Sequence, residues 1–157
     1  MTRYRFLTTW LLETTCAAAW EVLQDPLHWP DWWRGVVRVS ELDGGDERRV
    51  GSRYRVAWRS RVPYVLEFDF TVRRLEAGRW MAGDAAGDLE GTGCWRLFED
   101  GGVTAVVYDW DVSSTKRWMN MLGPVARPVF EYNHDVVMRW GGEGLARRLG
   151  ARLLAAG

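Results

Sequence analysis

The stretch Trp118–Ala156, WMNMLGPVARPVFEYNHDVVMRWGGEGLARRLGARLLAA, decides the fold. It predicts a loop and then one long amphipathic helix, starting near Pro124 or Pro128. At about 100° per residue, Phe130, His134, Val137, Met138, Gly141, Leu145 and Leu149 fall on one stripe. Asp135, Arg139 and Glu143 fall opposite, so the helix lies against something apolar. His134 interrupts the apolar stripe. Gly141 and Gly142 sit mid-helix, where each costs roughly 1 kcal/mol relative to Ala. Two readings of them stand: tight contact with a sheet, or room left for a ligand.

Working outward, the rest of the chain reads as strands and turns. Tyr4, Phe6, Thr8, Trp10 and Leu12 form one face of a first strand. Thr14 or Thr15 caps a helix over Cys16 to Leu23. Pro26 and Pro30 flank His28 and Trp29 and predict a broken or very short second helix. Val36 to Leu42 is a strand closed by Asp43-Gly-Gly-Asp46. Tyr54, Val56 and Trp58 then alternate with arginines. Tyr64, Leu66, Phe68, Phe70 and Val72 alternate with Glu67, Asp69, Thr71 and Arg73. These acids are placed to pair with arginines across the strands. Strands over Trp80–Ala86 and Leu89–Glu99 and a last one through Thr104, Tyr108 and Trp110 are joined by tight turns. Sequential hairpins imply an antiparallel sheet. The predicted fold is α+β: a curved sheet of about seven strands wrapped round the long C-terminal helix, with one or two short helices after the first strand, in a single domain over 1–157.

Composition narrows the function. Lys plus Arg and Asp plus Glu are 21 each, so there is no electrostatic footprint for nucleic acid. No run approaches a membrane span, and Thr2 to Leu12 alternates rather than forming a signal peptide. Cys16 and Cys94 have no metal-ligand spacing and read as a reduced pair, so the expectation is a cytoplasmic protein without metal or other cofactor. The 11 tryptophans imply large aromatic surfaces, in a core or lining a cavity.

Several motifs carry a resemblance to a known group. They are Trp20–Leu23 with Asp25-Pro26 and the tryptophans of 29–33; Gly87-Asp88-Leu89-Glu90-Gly91 with Gly93, Trp95, Thr104 and Trp110; and Trp118-Met119, Pro124, Arg127-Pro128, Phe130, Asn133-His134, Met138, Gly141 and Gly144-Leu145. Together they resemble the START-like (SRPBCC), helix-grip superfamily, in particular its small bacterial polyketide cyclase/dehydrase and lipid-transport-like members. The resemblance covers nearly the whole chain. It implies a deep cavity for an apolar ligand between sheet and helix. It leaves the activity open, because carriers, sensors, cyclases and hydroxylase domains share the fold. The hydroxylase type needs metal domains for which this sequence has no motif.

Among the candidate residues, His134 either meets a ligand or acts as acid or base near neutral pH, or is a neutral core histidine. Asp84, which shares parity with Trp80, and Tyr108 are further candidate proton-transfer groups. Trp29, Trp32 and Trp33 form a lid or a core plug. Tyr54, Trp58, Tyr64, Phe68, Trp95, Tyr108 and Trp110 are expected on the concave face, with Phe130, Val137, Met138 and Gly141 facing them from the helix. The expected partner is a small hydrophobic molecule, aromatic or polyketide- or lipid-like. Three functions fit: non-covalent binding; a cyclase, aromatase or dehydratase using His134; and a protein-interaction module displaying its tryptophans.

Overall fold

A computed structural model describes residues 2–157. The first strand, β1 (Arg3–Leu12), leads through Thr15 into α1 (Cys16–Leu23). The Thr15 hydroxyl accepts from the Ala18 amide at 3.1 Å and caps that helix. A 3-10 turn at Pro26–His28 runs directly into the single-turn helix α2 (Trp29–Trp32). Pro26 and Pro30 lie in the first turn of each, where a missing amide hydrogen costs nothing. Six strands come next in meander order: β2 (Val36–Asp43), β3 (Arg53–Trp58), β4 (Leu66–Glu76), β5 (Trp80–Gly87), β6 (Leu89–Asp100) and β7 (Val103–Ser114).

The C-terminal third differs from the expectation in two places. The segment before the long helix is itself helical: α3 (Arg117–Leu122), then a 3-10 turn at Gly123–Val125. The long helix α4 spans Ala126–Leu149 and stops at Gly150, whose φ of 60° is left-handed and costs glycine nothing. Beyond Gly150 the chain does not resume the helix. Leu153–Ala156 forms an eighth strand, β8, paired with β1. The sheet is therefore eight-stranded, fully antiparallel, in the order β2-β3-β4-β5-β6-β7-β1-β8.

The sheet curls around α4 and buries alternate residues on its concave face. Tyr54 and Val56 of β3, Leu66 and Val72 of β4, Trp95 and Leu97 of β6 and Val106, Trp110 and Val112 of β7 all face inward. The helix is buried well beyond one stripe: Val136, Trp140, Gly142 and Ala146 are enclosed as well as Val137, Gly141 and Leu145. It is held by the sheet on one side and by α1 and α2 on another. The core forms two clusters. One is centred on Trp10, Trp33 and Trp95, the other on Tyr4, Phe130 and Trp110; Trp58, Phe68, Phe70 and Tyr108 touch both.

The convex face is solvated and charge-paired. Arg55 meets its cross-strand partner Asp69 at 2.8 Å, as the alternation predicted. Glu67 is reached instead from β2, by Arg38 at 2.8 Å. Asp84 also lies outside, exposed and 2.8 Å from Arg73. A proton-transfer role for Asp84 needed it to face inward, and that candidate is corrected: it shares the outer face with Trp80, whose Nε1 donates to Glu76 at 3.0 Å.

Candidate functional site

Where the two core clusters meet, the packing leaves a cavity of about 40 Å³. Its walls are Trp29 and Trp33 from the α2 segment, Trp58, Phe68, Trp95, Tyr108 and Trp110 from the sheet, and His134, Val137 and Met138 from α4. Val36 and Val56 complete it. Val56 was legible in the alternation between Tyr54 and Trp58; Val36, the first residue of its strand, had no partner signal. Two smaller voids flank it. One of about 30 Å³ adds Tyr54, Phe70 and Met81; one of about 10 Å³ adds Tyr64, Phe130 and Asn133. The space between sheet and helix is thus nearly filled by rings.

Those rings are ordered by mutual contact. Tyr108 stacks on Trp95, centroids 4.0 Å apart, and on Trp110 at 5.6 Å. Trp33 meets Trp10 and Trp95 edge-on at 5.5 and 6.0 Å. Two indoles are anchored to backbone: Trp33 Nε1 donates to the Val137 carbonyl at 2.8 Å and Trp29 Nε1 to that of Leu23 at 3.1 Å. The first bond fixes the α2 segment against α4 and the second ties it to the end of α1, and both residues stand at the edge of the cavity.

Two expected cavity residues lie elsewhere. Trp32 is buried and stacks on Trp33, with its backbone carbonyl pressed against Gly144; it plugs the core between α2 and α4. No space opens beside Gly141. A methyl group there would stand 2.6 Å from the Trp33 ring and 2.7 Å from that of Trp10. The glycine serves tight packing rather than ligand room.

His134 supplies the chemistry of the site. Its ring is 2% exposed and stacked 3.7 Å over Phe6, with Trp58 edge-on at 6.3 Å. Nδ1 faces the Asp135 carboxylate at 3.4 Å. Nε2 is buried and has no hydrogen-bond partner, and the same is true of Trp58 Nε1. Both side chains line the cavity. Burial lowers the imidazole pKa to about 4, against a smaller upward pull from Asp135, so the ring is neutral at neutral pH. Burial also pushes the Tyr108 phenol far above its ordinary range, which keeps it a protonated donor.

Three further polar side chains, Asn133, His28 and Arg34, have partners of their own. Asn133 donates from Nδ2 to the Tyr64 hydroxyl and accepts from Ser60, tethering the β3–β4 loop to α4. His28 is exposed and paired with Asp25 at 2.7 Å. Arg34 lies 4.2 Å over the Trp140 ring. Among the described residues, no group of three or more His, Cys, Asp or Glu side chains could hold a metal ion, and no helix is long and apolar enough to cross a membrane.

A curved antiparallel sheet gripping a long helix over an aromatic-lined cavity defines a START-like, helix-grip protein. The chain belongs to the family described as polyketide cyclase / dehydrase and lipid transport, whose pattern matches residues 8–155. No curated protein sequence matches it. Solved structures share the fold at low identity. The ZhuI aromatase/cyclase from Streptomyces sp. R1128 is 21% identical, with a TM-score of 0.72 over 95% of this chain and 93% of its own. A START superfamily protein from Mycobacterium smegmatis is 13% identical, with a TM-score of 0.72 over 93% and 97%. TTHA0849 from Thermus thermophilus is 11% identical, with a TM-score of 0.73 over 94% and 99%.

Proposed function

We propose that the chain binds one small, flat aromatic molecule bearing a hydroxyl group, non-covalently, between the sheet and α4. The observation that carries this reading is that two residues lining an otherwise apolar cavity, His134 and Trp58, each hold a buried nitrogen, Nε2 and Nε1, without a partner. A buried polar group without a partner costs about 1–3 kcal/mol. With Nδ1 carrying its proton toward Asp135, Nε2 is an acceptor and Trp58 Nε1–H a donor. A hydroxyl answers both: it donates to the imidazole and accepts from the indole. Aromatic walls suit a flat ring system and leave no track for a long acyl chain.

A second reading is favoured by the presence of both His134 and Tyr108 in the lining of one cavity, from the helix and from the sheet. In a cyclase, aromatase or dehydratase of a poly-carbonyl substrate, neutral His134 takes a proton from carbon beside a carbonyl and Tyr108 donates to the oxygen. ZhuI is named an aromatase/cyclase, which supports this alternative. Asp84, on the outer face, has no part in it.

The test is native mass spectrometry of protein purified from cells making the natural metabolites, followed by denaturing release and calorimetry with 2-naphthol and 2-methylnaphthalene. A discrete hydroxylated aromatic on the protein is expected, with 2-naphthol at least tenfold tighter than its methyl analogue and that preference lost in His134→Leu. Conversion of a released precursor, lost in His134→Gln with affinity kept, favours the enzyme. A bare protein that takes up neither probe overturns the binding reading and points to a filled core whose tryptophans serve protein contact.

A further inference from the structure

The loop between β2 and β3 carries an arginine that the cavity described so far does not use. Arg49 is the one non-glycine among the described residues with a left-handed backbone, φ 68°. The loop imposes this. Asp46 Oδ1 accepts from the Arg48 and Val50 amides at 2.8 and 2.9 Å, and the Asp46 carbonyl accepts from the Arg49 amide at 2.9 Å. The buried Ser52 hydroxyl donates to the Arg49 carbonyl at 2.6 Å. Such a backbone persists only where the surroundings over-determine it, and ligand clamps are among the places where this is found.

The guanidinium lies between α1 and β3. It donates to Gln24 Oε1 and to the Tyr54 hydroxyl, both neutral oxygens. Several arginines of the outer face are instead paired with carboxylates, as in Arg55–Asp69, Arg73–Asp84 and Arg38–Glu67. Arginine has five N–H donors, so two bonds leave others free. Arg49 lines a pocket of about 170 Å³ whose other walls include Trp20, Leu75 and Met81. This pocket shares Pro26, Tyr54, Val72 and Met81 with the void beside Trp95 and Tyr108, and that void adjoins the central cavity.

We infer that Arg49, with the Tyr54 hydroxyl, is an anion subsite at the entrance to the cavity, taking the carboxylate of an amphipathic aromatic acid whose apolar end points toward Tyr108. The inference rests on the cavity reading above and extends it: the ligand is a hydroxylated aromatic acid, charged at the entrance and hydroxylated at the His134 end. The Arg49 guanidinium matches a carboxylate fork. Arg48 and Glu47 line the same pocket and offset one another, so a net charge of one remains to meet the single charge of a carboxylate rather than the two of a phosphate.

Calorimetry with 4-biphenylcarboxylate, 4-biphenylcarboxamide and 4-biphenyl phosphate tests it. The wild type should bind the carboxylate at least tenfold tighter than the amide. Arg49→Gln should bring the carboxylate down to the amide's affinity and leave the amide within twofold, and Tyr54→Phe should weaken the carboxylate alone. Arg49→Asn, which tolerates the left-handed backbone, makes the same comparison if the Gln variant does not fold. Equal wild-type affinity for carboxylate and amide, or an undiminished preference in Arg49→Gln, overturns the subsite and leaves the cavity reading standing. Tighter binding of the phosphate overturns the carboxylate assignment. Failure of all three probes to bind overturns the subsite; the cavity reading stands if 2-naphthol binds and falls with the subsite if it does not.

Discussion

At the residue scale, His134 couples the site to pH. Its pKa is about 4 in the fold and 6.5 in an unfolded chain. Between those values the unfolded state holds more protons, so stability rises with pH. The contribution is complete above pH 6.5 and is lost as pH falls toward 4, up to about 3 kcal/mol. The neighbouring Asp135 carboxylate opposes this only weakly, through its long contact with Nδ1. Urea denaturation at pH 7 and pH 4.5 should therefore show the wild type losing about 2–3 kcal/mol more than His134→Gln over that interval. Parallel losses would mean that the imidazole is not held neutral. The same residue shows how far a sequence speaks. Its place on the apolar face was legible from the helical period. Its unpartnered nitrogen was not, because that depends on Phe6, Trp58 and the helix being brought together from distant positions.

At the scale of the element, α4 is fitted to its neighbours through glycine. A methyl group on Gly144 would stand 1.8 Å from the Trp32 carbonyl oxygen, and one on Gly141 would strike two indoles. Alanine raises helix propensity by about 1 kcal/mol at each site. Overpacking outweighs it: Gly141→Ala should lose about 1–3 kcal/mol and Gly144→Ala at least as much, while exposed Glu143→Ala stays within about 0.5 kcal/mol. Chemical denaturation measures all three, and a stabilised Gly141→Ala would return that glycine to the role of ligand room. The glycines were visible in sequence; what fills the space beside them comes from β1 and α2 and was not. The end of the chain teaches the same lesson. Leu153–Ala156 has no alternation and reads as helix, and pairing with β1 makes it strand. The facing of Asp84 stayed open in sequence for a related reason. Parity was counted from Trp80, an aromatic that lies on the solvent face of its strand. Arg49 had no signal at all, since its backbone is set by the hydrogen bonds of a loop.

At the scale of the molecule, alternation, turns and one long helical period were enough for the main architecture, because most strands bury one face in the core that the long helix closes. Capacity was not readable, since it is the small remainder of many large side chains. A void of about 150 Å³ is what an engineered core needs to take up benzene, whereas the central cavity has about 40 Å³. Admission of a ligand therefore requires the rings to move, and ligand exchange should be slow. Trp95→Ala should speed 2-naphthol exchange at least tenfold by NMR line shape, at a stability cost of about 3–5 kcal/mol. Unchanged exchange would show that Trp95 does not limit entry. The ring lattice has one more consequence. Trp95, Tyr108, Trp10 and Trp33 lie within a few ångströms of one another at fixed mutual angles. Chromophores so disposed share their excited states, so the wall of the cavity is also an antenna. Any guest that parts two of these rings alters the ultraviolet circular dichroism and emission of the protein, and occupancy is written in its own light without a label.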